Sequence, residues 1–389
     1  MERSRKIKAA VSIFLIAFAF GLNITGISPI LGVLNEKYSE YGTSMVQLLQ
    51  TLPYLLLMLG SLLIGWWTTK ASKKKIVLLG LLIIGFCGIV PFFSEQFWVL
   101  FLSRLLIGFG FGIMGPMNTA IISELFEEQE RAGYMGLHVV GMGVGTMAGN
   151  LLGGILSGIG FRYFYLAYLI AFISWGAVQF LLEETPPVKT EKASAMKLNT
   201  KVYTLSFSSF AHTLFINAYS MNVGIYILQN ITEDTTVTGA VTTVNAIFAL
   251  LCGASFAKIS GLLKHYTVAG SIFSAAAGYG ALLALPGMAG VYIASALCGV
   301  SLSCFMAGAS MQISVSVEPN AVAKASGVFS IIGGIGGLIA PAVLGNTASI
   351  LLGENSAVNQ FRVAFFGMLM LGVLVLIAAM RSRGKRGRG

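Results

Sequence analysis

Six side chains, Ser208, His212, Phe215, Tyr219, Asn222 and Tyr226, follow one another at intervals of four and three residues and so share one face of a helix. The stretch around them is apolar, and in a bilayer such a polar and aromatic face turns away from lipid tails. Counted from Lys201 at ~1.5 Å per residue, His212 lies about 15 Å deep, near a bilayer's midplane. An imidazole there either hydrogen-bonds a neighbouring helix or meets a substrate and exchanges protons, which its near-neutral titration suits. His138 is the second histidine candidate. Arg104 is the one base deep inside an apolar run, away from its ends. Its burial costs about 2.5–3.5 kcal/mol at a helix centre, so it must find acceptors or water. Two readings stand: a cation satisfied by neighbouring carbonyls, and a group for proton coupling or anion binding. Asn23, Tyr54, Asn118, Asn245 and Gln312 either line a cavity or join helices. Glu124 sits beside Glu127, Glu128, Glu130 and Arg131, which reads as a solvated loop network.

Other chemistries lack their residues. The only aspartate is Asp234, in a loop, and no glutamate lies deep in an apolar run, so paired buried acids are absent. HExxH and GxxxxGK[ST] are absent too, which leaves no metalloprotease helix and no phosphate loop. Cys87, Cys252, Cys298 and Cys304 form no CxxC pair and read as small packing residues. We expect no enzyme activity, no cofactor and no bound metal. With no buried carboxylate to pair an organic cation, any cavity should favour anions or neutral amphipathic molecules.

The elements that must position these side chains are membrane helices. Hydrophobic residues make up 56% of the chain and charged residues 10%, with a mean hydropathy of +0.82. In hydrocarbon only helices and closed barrels satisfy the backbone, and runs of about 20 residues without period-two alternation choose helices. Twelve spans follow, at about 9–33, 45–68, 76–93, 97–123, 133–158, 161–182, 202–229, 238–263, 266–285, 290–317, 321–352 and 360–380. The first apolar run is too long for a cleaved signal and is read as a span. The net charge of +10 lies in short loops rather than in a nucleic-acid patch. With the amino terminus cytoplasmic, 21 of the 25 bases fall on one side, so both termini are expected in the cytoplasm of a cell membrane. The domains expected are a six-helix bundle at 1–182, a polar linker at 183–201, a second bundle at 202–380 and a basic tail at 381–389 that lies on lipid headgroups.

Residues 136–154, GLHVVGMGVGTMAGNLLGG, recur 191 positions later as GVFSIIGGIGGLIAPAVLG, with glycines coinciding at 136/327, 143/334, 145/336 and 154/345. Such glycines let helices approach closely. Two similar halves in one orientation are an architecture of secondary transporters. Arg104-Leu-Leu-Ile-Gly108 resembles the RxxxG pattern in the fourth helix of the major facilitator superfamily. Gly145-Thr-Met-Ala-Gly149-Asn150-Leu-Leu-Gly153-Gly154 is similar to the fifth-helix GxxxGPxxGG of its drug/proton antiporters, with Asn150 in place of the proline. The run from Gly65 through Lys70 to Lys73 and Lys74 resembles the GxLaDRxGRK loop, with Thr69 in place of its acid. Gly65, Lys70, Lys73, Gly145, Gly149, Gly153, Gly154 and Pro341 are thereby expected to serve packing and conformational change.

The resemblance implies an all-α membrane protein with two parallel, pseudo-repeated six-helix bundles. It implies a monomeric transporter working by alternating access on a small molecule, with proton coupling. Two transport readings remain. One is export of a small hydrophobic or weakly anionic compound, which the fifth-helix pattern favours. The other is import or exchange of a small organic anion, which Arg104 without a buried acid favours. A receptor or channel is the non-transport alternative. Arg104, His138, His212, Tyr219, Asn222, Tyr226, Asn23, Tyr54 and Asn245 are the candidates for substrate or proton contact.

Overall fold

A computed structural model describes residues 2–24, 27–184, 199–285, 287–317 and 322–386. The side chain of Asn23, the surroundings of Gly65 and most of the expected linker lie outside what is described. Among the described residues there are helices and no strands. They are α1 (Glu2–Ile24), α2 (Leu31–Lys37), α3 (Thr43–Thr51), α4 (Pro53–Trp67), α5 (Lys73–Phe93), α6 (Phe97–Leu125), α7 (Glu128–Ile159) and α8 (Leu169–Leu181). There follow α9 (Thr200–Asn230), α10 (Thr235–Ala254), α11 (Phe256–Leu263), α12 (Thr267–Ala284), α13 (Met288–Ser314), α14 (Val322–Leu352) and α15 (Ala357–Arg386).

Among the described residues ten helical stretches are long and apolar enough to cross a membrane, and the expected spans of α1 and α9 are not among them. α9 carries the polar stripe, which lowers its hydropathy without breaking its helix. Four expected spans are interrupted: that at 161–182 opens as a 3-10 helix, Phe161–Tyr168, that at 238–263 divides at Ser255 between α10 and α11, and the first and second break near prolines. In the first, α1 is described as far as Ile24, and Pro29, which has no amide to donate, sits in a separate 3-10 turn, Ser28–Ile30. The second divides at Pro53, which occupies the first turn of α4, where a missing N–H costs nothing. Caps set other starts: the Ser72 hydroxyl accepts from the Lys75 amide, and the Asn199 side chain accepts from the Val202 amide at 3.0 Å.

The chain divides into two compact units. The first comprises Met1–Glu40, Leu48–Ser194 and Asp234–Ala240; the second comprises Tyr41–Gln47, Ala195–Glu233 and Val241–Gly389. Thus the first turn of α3 belongs to the second unit and the first turn of α10 to the first.

The repeat seen in the sequence has a physical counterpart inside each unit. A Cβ on Gly145 of α7 would collide with the Phe18 carbonyl of α1; a Cβ on Gly336 of α14 would collide with the Phe210 carbonyl of α9. The next seam repeats as well. Gly108 of α6 abuts the Pro53 carbonyl of α4, and Gly299 of α13 abuts the Asn245 carbonyl of α10. Partners correspond at the same offset to within one residue. Gly149 meets the Leu22 carbonyl, continuing the α1–α7 seam, whereas Gly154 meets Gly239 in the first turn of α10. Gly153 is buried, and Pro341 lies inside α14.

Candidate functional site

Within the first unit, α1, α6 and α7 line a small, half-open cavity of about 40 Å³. Ala17 and Phe20 come from α1, Met114 and Asn118 from α6, and His138 and Met142 from α7. The seam explains the arrangement. Gly21, Gly145 and Gly149 bring the α1 and α7 backbones together, and His138, about two turns earlier on α7, lines the opening. The Asn118 amide nitrogen donates to the Ile13 carbonyl at 3.1 Å and lies 2.7 Å from His138 Nδ1. With that nitrogen as donor, Nδ1 accepts, and the neutral ring holds its proton on Nε2. Asn118 Oδ1 is buried without a protein partner. The cavity therefore has apolar walls and one neutral polar pair, with no carboxylate among its lining residues. Asn118 was legible as an amide in a span; Phe20, Met114 and Met142 carried no sequence signal beyond ordinary apolar residues.

Arg104 is fully buried in the same unit but does not line that cavity. Its Nε donates to the Leu49 carbonyl at 3.0 Å and its Nη1 to the Tyr168 hydroxyl at 2.6 Å, while Nη2 has no protein partner. Tyr168 was not foreseen, because an aromatic residue near the start of a span reads as ordinary packing.

The stripe on α9 is directed into the second unit. His212 Nε2 lies 3.0 Å from the Ser301 hydroxyl, and its ring stacks on Phe305 at 3.9 Å. The Tyr219 hydroxyl donates to Ser295 at 2.6 Å, and Tyr226 meets the ring of Phe361 edge-on. Asn222 joins an amide cluster. Its side chain donates to Gln360 at 2.8 Å and accepts from Gln47 at 2.7 Å, and Gln360 donates to Asn355 at 2.7 Å. Gln47 and Gln360 were missed, although each is an amide in an apolar run. Asn245 donates to the Ser295 carbonyl at 2.9 Å, joining α10 to α13. Tyr54 is half-buried on α4, and Gln312 half-buried on α13.

At the amino-terminal end of α5, Lys73 is buried and pairs with Glu124 of α6. Glu124 thus has a partner across helices instead of belonging only to the acidic loop that follows it. Lys70 is exposed. In the loop between α5 and α6, Glu95 pairs with Lys37 and, at 3.1 Å, with Arg162. The Lys37 hydrogen bond, with the charges of both bases, lowers the Glu95 pKa from the ordinary carboxylate range.

Residues 13–341 match the family model of the Major Facilitator Superfamily. The chain is 25% identical over 168 residues to Multidrug resistance protein 2 of Bacillus subtilis, across 41% of this chain and 42% of that protein. It is 23% identical over 183 residues to Probable anion transporter 6 of Oryza sativa, across 43% of each. The matched stretches thus span about two-fifths of these relatives. A bacterial homologue of the human lysosomal transporter Spinster has the same fold, with a TM-score of 0.72, 15% identity, and coverage of 97% of this chain and 96% of that one. Ten membrane-length apolar helices among the described residues, together with a family match over most of the sequence, make this chain an integral membrane protein that belongs to the Major Facilitator Superfamily of transporters.

Proposed function

We propose that this protein is a proton-coupled secondary transporter of the cell membrane that exports a small hydrophobic or weakly anionic compound by alternating access. The observation that carries this reading is the cavity of the first unit, with Phe20, Met114 and Met142 as apolar walls and His138 and Asn118 as a neutral polar pair. Such a site rewards apolar surface with burial and one polar group with a hydrogen bond, and offers a cation no counter-charge. The multidrug relative supports export, and the loop bases support cytoplasmic termini. We assign proton exchange to His138, the one titratable side chain among the lining residues.

A ligand-stabilisation screen of the purified protein tests the proposal, because a binder raises apparent stability by mass action whatever the direction of transport. Hydrophobic weak acids and neutral amphiphiles should raise the melting temperature more than organic cations of equal size. The variant His138→Ala should bind the best of them about tenfold more weakly, as expected from loss of ~1.4 kcal/mol. Preference for cations, or unchanged binding in the variant, would overturn it.

The second reading, import or exchange of a small organic anion, draws on the unpartnered Nη2 of Arg104 and on the anion-transporter relative. Counterflow of labelled organic anions in proteoliposomes, abolished in Arg104→Gln, would favour it over export.

A further inference from the structure

The seam between α10 and α13 in the second unit brings two thiols together. Cys252 and Cys304 are buried, and their sulfur atoms lie 2.6 Å apart. The two sulfurs are in direct contact, as a disulfide between them would require. The Cys252 sulfur also lies 3.6 Å from the Val300 carbonyl.

The seam's construction explains the approach. Gly299 lets α13 lie against the Asn245 backbone, and Gly253 faces the Ser303 hydroxyl, with 3.0 Å left for an added Cβ. Asn245 donates to the Ser295 carbonyl, and Ser295 donates to the Val241 carbonyl, which fixes the register of the two helices. The matching seam of the first unit packs Gly60 against Gly112, and the positions there that correspond to Cys252 and Cys304 are Gly60 and Ile113. Thiols are therefore not what this packing demands. Cys298 faces α12, near Gly278, and Cys87 belongs to the first unit.

We propose that Cys252 and Cys304 form an oxidisable dithiol, a modification site at which an apolar hydroperoxide joins α10 to α13. The hydroperoxide class follows from the position of the pair in apolar spans, which a lipid-soluble oxidant can enter. One sulfur, giving up its proton, attacks the terminal peroxide oxygen; the O–O bond breaks and the alkoxide takes a proton to leave as the alcohol. The resulting sulfenic acid is attacked by the second sulfur, an S–S bond forms, and hydroxide leaves with the second thiol's proton as water. Two thiols and one hydroperoxide thus give one disulfide, one alcohol and one water, with the two electrons passing from sulfur to oxygen.

The test uses the full chain in lipid nanodiscs, with cumene hydroperoxide as the probe, followed by acid quenching, denaturation and maleimide labelling read by mass spectrometry. The wild type should lose two of its four thiols and regain them with dithiothreitol, and peptide mapping should show the 252–304 link. Neither Cys252→Ser nor Cys304→Ser should form an intramolecular link, and the variant that keeps the attacking sulfur should stop at the sulfenic acid, reversed by dithiothreitol, whereas Cys298→Ser should still form the link. The proposal fails if the folded wild type keeps four thiols at a dose that oxidises the same chain unfolded. It fails equally if the link involves Cys298 or Cys87, or if sulfinic acid is the product.

Discussion

Arg104 illustrates how a single residue invites a functional reading that its surroundings temper. The position 191 residues later is Ser295, whose hydroxyl donates to the Val241 carbonyl, the counterpart of the Leu49 carbonyl that accepts from Arg104. A donor to that carbonyl is thus a shared feature of both seams, and the guanidinium is the version that also reaches Tyr168. Changing Arg104 to glutamine should lower the melting temperature through loss of a buried, hydrogen-bonded group, on the order of 1–3 kcal/mol, with substrate affinity changed by less than about threefold. A large loss of affinity at unchanged stability would instead assign Arg104 to an anion. Glu95 supports a pH prediction outside the spans. Its carboxyl titrates lower in the folded protein, so the stability it contributes is present above the ordinary carboxylate pKa and disappears as pH falls through the lowered value. The melting temperatures of the wild type and Glu95→Gln should differ at pH 7 and converge in acid; a constant gap would show that the charge contributes nothing. Of these residues the sequence revealed identity and depth but not partners. Arg104 and His138 stand out because charged and titratable groups are rare in apolar runs. Tyr168 and Phe20 do not, since their importance depends on which helix lies opposite.

At the scale of elements, helix existence was legible because runs of some twenty apolar residues admit little else in a bilayer. The breaks were less so. Proline marks them at Pro29 and Pro53, yet Pro91, Pro116 and Pro341 lie inside continuous helices, so proline alone does not say where a helix stops. The α9 stripe was read correctly as one face, but periodicity cannot distinguish a face turned to a cavity from one turned to another helix. Here His212 and Tyr219 meet serines of α13. The repeated glycines give a sharper test, because repeat mates have the same surroundings. Gly145 and Gly336 each face a backbone carbonyl, whereas Gly136 and Gly327 have nothing within 4 Å of an added Cβ. Alanine at 145 or 336 should therefore destabilise by about 1–3 kcal/mol through overpacking. Alanine at 136 or 327 should be neutral or stabilise by up to ~1 kcal/mol through helix propensity. Thermal melts of the four variants check this, and equal effects at all four positions would remove the seams' claim to hold the helices together.

At the scale of the whole molecule, a 19-residue stretch that recurs at an offset of nearly half the chain foreshadowed two units, and the chain divides into two compact units. Orientation in the membrane is a separate physical question, on which charge supports the cytoplasmic termini proposed above. Bases in short loops resist translocation, and with the expected spans 21 of 25 share the side of the termini. The helices have the length this requires: α14, with 31 residues, rises about 46 Å, more than a ~30 Å hydrocarbon core. The loop before α5 and the start of α9 should therefore face the cytoplasm, and the segments holding Glu40 and Glu354 should face outward. Cysteines introduced at the exposed positions Lys70, Lys201, Glu40 and Glu354 test this in sealed cells, where Cys252, Cys298 and Cys304 are buried and contribute little background. An impermeant maleimide should label 40 and 354 in intact cells, and 70 and 201 only after permeabilisation. Labelling of 70 or 201 from outside would invert the topology, and with it the direction in which export from the cytoplasm could run.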